Sequence, residues 1–171
     1  MRGTTPVTDF LLRPFGWADV PALTAIYAHY VQNTAITFDT EVPGEPAMAE
    51  KFGHLLALGH PLIVAEHEGR VLGYAYASFY RPRAAYRFTV EDSIYLHPDE
   101  TGKGLGKTLL AALLDQSKAL GFHQMLAVIT ADTENSIRLH EKFGFEKVGL
   151  YRQVGFKFER WHDVVHMQKA L

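Results

Sequence analysis

The sequence predicts an α/β domain in which helices flank a mixed central β-sheet. Runs rich in β-branched and aromatic residues alternate along the chain with segments whose apolar residues have helical spacing. One such run, at 86–96, leads through a glycine-containing loop into a strongly amphipathic segment at 104–120. The chain has 171 residues, of which 47% are hydrophobic, and this is enough for one core. We therefore expect a single domain over residues 1–171.

The N-terminal half predicts one strand, two helices and a β-hairpin. A short apolar run predicts a strand at 10–13, and apolar residues three and four positions apart then predict a helix that begins near 19–21. Prolines and a glycine interrupt the chain before a second helix at about 46–58. The runs at 62–66 and 71–79 are separated by four residues that include a glycine, and this arrangement predicts a hairpin.

The C-terminal half predicts strands that alternate with helices and then a final pair of strands. The run at 86–96 is the first strand, and the helix at 104–120 follows it. A strand at 123–130 and a helix at 134–143 come next. The last two strands are predicted at about 145–154 and 158–169. The aromatic residues of this region are expected mainly in the core; they are Phe143, Phe145, Phe156, Phe158 and Trp161.

The loop between 86–96 and 104–120 is suited to hold a phosphate group. Gly102, Gly104 and Gly106 lack Cβ atoms, so the backbone there can approach an anion closely. The free N–H groups and the dipole of the following helix N-terminus favour negative charge at the same place.

Two common nucleotide-binding motifs fit this loop poorly. Gly106-Lys107-Thr108 matches the end of a Walker A loop, but Thr101 stands where that loop begins with glycine. In a dinucleotide fingerprint the third glycine would come one residue after Gly106. An ordinary turn and helix cap remains an alternative. The other candidate is a pyrophosphate bound by backbone amides without metal, as in coenzyme A enzymes.

Composition and charge argue against several other classes of protein. The net charge of −2 gives no electrostatic case for nucleic acid. The chain has no cysteine, which leaves neither a disulfide framework nor a thiolate metal site or nucleophile. No run of about 18 apolar residues occurs, so we expect no membrane association and a cytoplasmic protein. His162 and His166 would be about 13 Å apart on a strand, and we expect no metal site.

Thr101–Gly106 resembles the Gln/Arg-x-x-Gly-x-Gly/Ala loop of the GNAT N-acetyltransferases, which grips the pyrophosphate of acetyl-CoA. Further blocks resemble the phosphinothricin and methionine sulfoximine acetyltransferase branch of that family, and together they extend over about 10–169. These blocks are 81–95, 127–129, 136–141, 155–157 and 161–163. Two positions depart from the pattern, since Thr101 replaces the usual Arg or Gln and Thr133 stands where relatives often have Asn. The first departure removes a side-chain contact to phosphate, whereas the backbone amides remain.

The resemblance implies a GNAT fold, acetyl-CoA as co-substrate and a homodimer with acceptor pockets near the subunit boundary. The acetyl group is expected between the strands at 86–96 and 123–130, with the pantetheine paired to the backbone of the first of these strands. The residues expected to bind acetyl-CoA are Ile94, Tyr95, Leu96, Gly102, Lys103, Gly104, Leu105, Gly106, Lys107, Asn135 and Ser136.

Glu91 is the candidate general base. Strand alternation puts Glu91, Ser93 and Tyr95 on one face of the strand at 86–96, and Asp92 and Ile94 on the other. A carboxylate in an apolar strand is costly unless it is solvated, paired or used, so a solvated surface position is the alternative. The resemblance favours Glu91, which would take a proton from the substrate ammonium directly or through water.

His140 is the second catalytic candidate. In the common GNAT pattern a tyrosine five residues after an Asn can protonate the leaving thiolate, and His140 stands five residues after Asn135. A histidine titrates near neutrality and could donate this proton. A packed or cofactor-lining imidazole on the helix at 134–143 is the alternative role. Tyr151 is a weaker candidate for the acid.

Arg81, Arg83 and Tyr86 are the candidate acceptor-binding residues. Guanidinium groups bind carboxylates and phosphinates through two parallel hydrogen bonds, and two arginines that alternate along an extended segment point the same way. Without the flanking family pattern, two solvated charges at a strand end would be the simpler interpretation.

These features together predict an N-acetyltransferase that moves acetyl from acetyl-CoA to the α-amine of a small amino-acid analogue. Direct attack is expected, because the thioester is already activated and the chain offers no cysteine and no Gly-x-Ser-x-Gly turn. Two alternatives remain open. One is a coenzyme-A-binding domain without turnover, and the other is acetylation of protein or peptide amines, which would require an open acidic groove in place of Arg81 and Arg83.

Overall fold

A seven-stranded mixed sheet is the centre of the computed structural model, which describes residues 9–171; residues 1–8 of the expected domain lie outside the described residues. The strands are β1 (Leu11–Pro14), β2 (Leu62–His67), β3 (Arg70–Phe79), β4 (Thr89–Leu96), β5 (Gln124–Thr130), β6 (Glu146–Lys157) and β7 (Arg160–Ala170). The helices are α1 (Val20–Asn33), α2 (Glu45–Ala57), α3 (Leu105–Ala119) and α4 (Glu134–Lys142).

The sheet contains one pair of parallel neighbours, at its centre. Its order is β1-β2-β3-β4-β5-β7-β6, and β4 and β5 are the parallel neighbours whereas the other pairs are antiparallel. Helix α3 connects β4 to β5, as a parallel crossover requires. The predicted mixed sheet flanked by helices is therefore confirmed.

β4 and β5 separate soon after they meet. Their pairing covers only Thr89–Glu91 on β4 and Gln124–Leu126 on β5. β4 then continues to Leu96, still paired with β3, and β5 continues to Thr130, still paired with β7. The two strands therefore form the sides of a wedge-shaped gap that opens beyond Glu91.

The helices bury opposite faces of the sheet in two apolar clusters. On the α3 face, which α3 and α4 cover, Leu109 and Leu113 pack with Val90 and Met125. On the α1 face, which α1 and α2 cover, the cluster is rich in aromatic rings and includes Tyr95. Val90 and Tyr95 thus lie on opposite faces of β4, as the predicted alternation requires.

β4 begins later than the sequence predicts. Its first residue is Thr89, because Ala84–Tyr86 forms a 3₁₀ turn and Tyr80 N donates to the Thr89 carbonyl in the last bond between the two chain segments. Residues 81–88 are exposed and bend away from β3. A segment rich in strand-forming residues does not form a strand when no neighbouring strand pairs with it.

The β6–β7 hairpin departs most from expectation. It closes through Phe158 and Glu159, both with positive φ, rather than near residues 155–157. The expectation that its aromatic residues lie in the core is wrong for Phe156, Phe158 and Trp161, which are 52–60% exposed. They lie at the end of a hairpin whose strand β6 forms the edge of the sheet. Within residues 9–171 none of the helices is both long and apolar enough to cross a lipid bilayer.

Candidate active site

Glu91 is located at the closed end of the gap between β4 and β5. It is the last β4 residue that pairs with β5, opposite Leu126, and it pairs with Ser78 of β3 on the other side. Its side chain points to the α1 face, the same face as Tyr95. Burial and, secondarily, the charge of Asp92 raise the pKa of Glu91 to about 7. Within residues 9–171 no hydrogen bond contributes to this pKa.

A carboxyl group with these properties is suited to general-base catalysis. It is protonated and deprotonated near neutral pH, so it can take a proton from an ammonium group and release it to water. A carboxylate that only stabilised the fold would be paired or hydrogen-bonded, and its pKa would be lowered. The pKa of Glu91 is instead raised.

His140 faces Asp92 on the other side of β4. Its Nε2 lies 2.7 Å from Asp92 Oδ2, and its Nδ1 donates to the Ser136 carbonyl at 2.7 Å. Burial lowers the pKa of His140, but the hydrogen bond to Asp92, with its charge, raises the pKa above the ordinary value overall. Because Glu91 and Asp92 are consecutive strand residues, Glu91 and His140 lie on opposite faces of the sheet.

The edge of β4 that faces the gap is partly available for backbone pairing. His97 N donates to Leu72 O, and Tyr80 N donates to Thr89 O, so odd-numbered residues of β4 direct their amides to β3. Of the even-numbered residues, Asp92 still serves the Glu91–Leu126 pairing with β5, and Ile94 and Leu96 direct their amides into the gap.

The three β4 residues expected to pair with pantetheine differ in how available their backbone groups are. The Leu96 N–H and carbonyl are both bonded to the Tyr30 hydroxyl, at 3.1 and 2.7 Å. The Tyr95 side chain is buried in the aromatic cluster, with its ring 5.1 Å from that of Tyr27. Ile94 accordingly offers the backbone groups at the centre of the open edge. Tyr30 is a contact that the sequence does not reveal, because it lies 66 residues from Leu96.

The glycine loop has the geometry of an anion site at its first two glycines. Gly102 and Gly104 have φ of 75° and 88°, the left-handed region that glycine tolerates, and a Cβ on either would have no heavy atom within 4 Å. Gly104 is the N-cap of α3, so the amides of Leu105, Gly106 and Lys107 are those of the first helical turn. The loop therefore exposes backbone donors to open space.

The remaining loop residues have structural contacts. A Cβ on Gly106 would make ordinary van der Waals contacts of 3.6–3.7 Å with the side chains of Leu139 and Leu96, so packing alone does not require glycine here. The Leu105 side chain is buried. The Lys103 ammonium donates to the buried Glu100 carboxylate at 3.2 Å, and Arg70 contacts the same carboxylate at 3.3 Å. Lys103 is thus partly neutralised.

Replacing Gly104 by Val is expected to weaken acetyl-CoA binding at least tenfold, or about 1.4 kcal/mol. A β-branched residue is strained at a φ of 88°, and its side chain would occupy the space that an anion needs. Gly121→Val is the matched control, since Gly121 follows the other end of α3 with a φ of 85° and equally open surroundings. Calorimetric titration should show normal affinity in the control; equal losses in both variants would mean that the amides of this loop do not bind the cofactor.

A cleft of about 570 Å³ lies just beyond the C-terminal end of β5. It is an open cleft bordered by the end of α1, the start of α4 and the β6–β7 turn; its lining is Asn33, Thr34, Ala35, Ile36, Asp132, Thr133, Glu134, Asn135, Arg138, Phe158 and Arg160. Of the expected cofactor residues, Asn135 lines this cleft and Ser136 is the next residue of α4. Sequence reasoning missed residues 33–36, because nothing local links the end of α1 to α4.

Two hydrogen bonds hold the segment after α1 against the sheet. Thr130 Oγ1 donates to the Ala35 carbonyl at 2.5 Å, and Lys157 Nζ donates to the Thr37 carbonyl at 2.8 Å. Burial lowers the pKa of Lys157. These contacts give one wall of the cleft a fixed position relative to β5 and β6.

The candidate acceptor residues lie beyond the closed end of the gap. Arg81, Arg83 and Tyr86 are all exposed in the segment that precedes β4. The chain bends at 82–83, so this segment is not the continuous extended run that the sequence predicts. The Arg81 guanidinium lies 4.9 Å from the centre of the Tyr80 ring.

Two further rings, those of Tyr151 and His166, lie near Arg81. The rings of Tyr151 and His166 are 4.2 Å apart, and His166 pairs with Val128 of β5. Burial and the positive charge of Arg81 lower the pKa of His166. Tyr151, the alternative acid, is thus on the acceptor side and not beside His140. Among residues 9–171 no group of three or more His, Cys, Asp or Glu side chains could hold a metal ion.

Known proteins share this fold and sequence. The Acetyltransferase (GNAT) family model matches residues 24–145. A phosphinothricin N-acetyltransferase of Alcaligenes faecalis is 45% identical over 90% of this chain and 78% of its own length. An L-methionine sulfoximine/L-methionine sulfone acetyltransferase of Salmonella typhimurium is 40% identical over 90% of each chain.

A solved structure extends this similarity to three dimensions. The GNAT superfamily phosphinothricin acetyltransferase of Sinorhizobium meliloti, in complex with acetyl-CoA, superposes with a TM-score of 0.93 at 47% identity. The match covers 95% of this chain and 88% of that one. The loop, the gap and the sequence matches agree, and the chain belongs to the GNAT family of acetyltransferases.

Proposed function

We propose that this protein transfers the acetyl group of acetyl-CoA to the α-amine of a small amino-acid analogue of the phosphinothricin or methionine sulfoximine type. The observation that carries the proposal is Glu91, a half-buried carboxyl group with a pKa raised to about 7 at the point where β4 and β5 separate. The names of the two relatives at 45% and 40% identity support the acceptor class.

Bound acetyl-CoA supplies an activated thioester. Around it, the amides of the Gly102–Lys107 loop hold the pyrophosphate, and the Ile94 backbone pairs with the pantetheine in the gap. Asn135 and Ser136 complete the cofactor site from α4. The glycine loop follows the C-terminal end of β4 and α4 follows the C-terminal end of the parallel strand β5, so both lie at the same end of the two strands, and a linear cofactor extends from one to the other.

Glu91 takes a proton from the substrate ammonium on the α1 face. Glu91 releases this proton to water. The neutral amine then attacks the thioester carbonyl, the C–N bond forms, Glu91 takes the second proton that the nitrogen loses as the amide forms, and the C–S bond breaks with its electron pair on sulfur. The thiolate takes its proton from solvent and not from the predicted acid His140, because both ring nitrogens of His140 are already hydrogen-bonded to Ser136 O and Asp92 Oδ2. No covalent acetyl-enzyme is required.

Arg81, Arg83 and Tyr86 bind the anionic groups of the acceptor. Arg81 is near enough to His166 for its charge to lower the pKa of that ring, and its exposed guanidinium, which bonds the Tyr80 hydroxyl, pairs with a carboxylate or phosphinate of the acceptor. Basic side chains in this position disfavour the open acidic groove that acetylation of protein amines would require.

An acceptor screen tests the proposed function. Release of free thiol from acetyl-CoA is followed with phosphinothricin, methionine sulfoximine, an uncharged primary amine and a short peptide. We expect the two amino-acid analogues to be acetylated with the largest kcat/KM. Preferred turnover of the peptide would replace the acceptor assignment, and absence of turnover with every amine would favour a non-catalytic coenzyme A domain.

The proposal includes a homodimer located in the cytoplasm, where acetyl-CoA is available. β6, β7 and the turn between them expose a set of large apolar side chains that a second copy could cover; they are Val148, Leu150, Tyr151, Val154, Phe156, Phe158 and Trp161. Light scattering is expected to give twice the chain mass, and Phe156→Glu is expected to shift the protein toward the monomer. A monomeric wild-type protein would contradict this part.

A further inference from the structure

Glu100 carries a buried carboxylate immediately before the glycine loop. It ends the 3₁₀ turn Pro98–Glu100, and its side chain is 5% exposed. One carboxylate oxygen lies 3.2 Å from Nζ of Lys103, and the other lies 3.3 Å from Nη1 of Arg70. Lys103 belongs to the loop itself, whereas Arg70 is the first residue of β3, 30 positions before Glu100. The carboxylate therefore joins the loop to a strand that is distant in sequence.

The turn that carries Glu100 is itself fixed to the sheet. The His97 amide donates to the Leu72 carbonyl of β3 at 2.7 Å, and the Glu100 amide donates to the His97 carbonyl at 2.8 Å. The Thr101 hydroxyl donates to the Pro98 carbonyl at 3.1 Å. Thr101, which stands where the family pattern has Arg or Gln, thus uses its side chain within the turn.

The next two residues of the loop have much less support. Within residues 9–171, Gly102 and Lys103 form no hydrogen bond to another backbone group outside helices and strands, and the bond from Lys103 to Glu100 is the one side-chain hydrogen bond to either of them. Gly102 and Gly104 both have positive φ, and glycine has the largest conformational freedom to lose when it is ordered. The shape of this loop therefore depends on what holds it from outside.

We propose that Glu100 is a positioning residue that holds the glycine loop in the conformation that binds the pyrophosphate of acetyl-CoA, with Lys103 and Arg70 as its two cationic partners. Backbone amides bind an anion most tightly when they are already oriented, because ordering them during binding costs affinity. The inference rests on the proposed binding of acetyl-CoA by this loop, and not on the acceptor or the base. Because its carboxylate is buried and negatively charged, Glu100 acts through the loop and not by contact with the pyrophosphate.

The carboxylate has two opposing effects on a bound anion. Its negative charge repels pyrophosphate and partly neutralises Lys103, whereas its contacts hold the loop in shape. The two cationic partners offset most of that repulsion. Their own charges are partly screened, since the side chains of Arg70 and Lys103 are 51% and 25% exposed. We therefore expect the ordering of the loop to outweigh the repulsion, so that removal of the carboxylate charge weakens binding.

Replacing Glu100 by Gln tests this expectation. The amide has nearly the same size, but both ion pairs are lost. Acetyl-CoA should bind about tenfold more weakly in calorimetric titration, as it would if roughly one molecule in ten had the ordered loop. Without cofactor, nitrogen-15 relaxation should give lower order parameters for the amides of 102–104 than in the wild type. Unchanged or tighter binding, or unchanged order parameters, would overturn the proposal.

Asp19→Asn is the matched control. Asp19 is also a buried carboxylate with a cationic partner, since its side chain is 8% exposed and Arg13 donates to it at 2.7 and 2.8 Å. It lies immediately before α1, whereas the glycine loop lies immediately before α3. This change should leave the affinity for acetyl-CoA and the order of the loop normal. Equal losses of affinity in the two variants would show that loss of a buried ion pair acts through general stability, and the proposal would be withdrawn.

Arg70→Met gives a second test, which does not depend on whether Glu100→Gln folds. The Arg70 side chain is half exposed, and Met keeps much of its apolar length. This variant should bind acetyl-CoA several-fold more weakly than the wild type. The double variant should bind no more weakly than Glu100→Gln alone, because both changes break the same contact. Normal affinity in Arg70→Met, or additive losses in the double variant, would show that the two residues do not act as one anchor.

Failure of the cofactor assignment would give a different pattern. If the loop does not bind the pyrophosphate, Gly104→Val and Glu100→Gln should both bind acetyl-CoA normally, even though the order parameters of the loop fall in Glu100→Gln. That result would refute the proposed cofactor site and this inference with it. Weak binding in Gly104→Val together with normal binding in Glu100→Gln would refute the role of Glu100 alone.

Discussion

Replacing Glu91 by Gln is expected to lower turnover about 100-fold or more at pH 7. The change removes the carboxylate that takes the ammonium proton, while the amide has nearly the same size and leaves the sheet intact. Affinity for acetyl-CoA should barely change, because the side chain lies on the α1 face, away from the glycine loop. Steady-state thiol release at saturating substrates, together with calorimetric titration, measures both effects.

The loss in this variant should depend on pH. Because the pKa of Glu91 is about 7, wild-type activity should rise as pH increases through that value. At high pH more of the acceptor amine is already neutral, so the difference between the two proteins should shrink. Full activity of Glu91→Gln at pH 7, or a loss that does not change with pH, would exclude Glu91 as the base.

The same Glu91→Gln variant, although less active, is expected to be more stable than the wild type at high pH. The folded pKa of about 7 lies above the ordinary value of 4.5, so burial disfavours the charged form. The contribution that protonated Glu91 makes to the free energy of unfolding is fully present below pH 4.5 and is lost as pH rises through 7. Glu91→Gln should therefore unfold at higher denaturant concentration than the wild type at pH 8, by at most about 3 kcal/mol, with little difference near pH 4.5.

The family, the fold and acetyl-CoA as co-substrate could be predicted from the sequence, and the comparisons confirm them. The reasons are local: the glycine loop joins a strand to a helix, and alternation separates Glu91 from Asp92. Both features depend on residues within a few positions of one another. The expected boundaries of α3, β5 and α4 agree with the structure within one residue for the same reason.

The gap and its contacts could not be predicted in this way. β4 continues as a strand after Glu91, so no break in its sequence marks the point where β5 leaves it. The bonds from Tyr30 to Leu96 and from His140 to Asp92 join residues 66 and 48 positions apart. Such pairs are set by how the helices pack, and a single sequence carries no signal for them.

Replacing Arg81 or Arg83 by Ala is expected to raise the KM for phosphinothricin-like acceptors roughly 10- to 100-fold, the effect of losing a charge-assisted hydrogen bond to an anionic group. Acetyl-CoA affinity should stay normal, because these residues lie beyond the closed end of the gap and the glycine loop lies at its open end. Of the two, Arg81 is expected to have the larger effect, since it lies close enough to His166 to lower the pKa of that ring.

Arg87→Ala is the matched control for the arginine variants. Arg87 is an exposed residue of the same segment, and its guanidinium lies 4.4 Å from the centre of the Phe88 ring. Its removal should leave acceptor kinetics unchanged. Each variant is measured with an amino-acid analogue and with an uncharged amine. A loss confined to the analogue supports the assignment, whereas equal losses for both acceptors would show that the arginines support the fold, and the proposed acceptor class would then lose its structural basis.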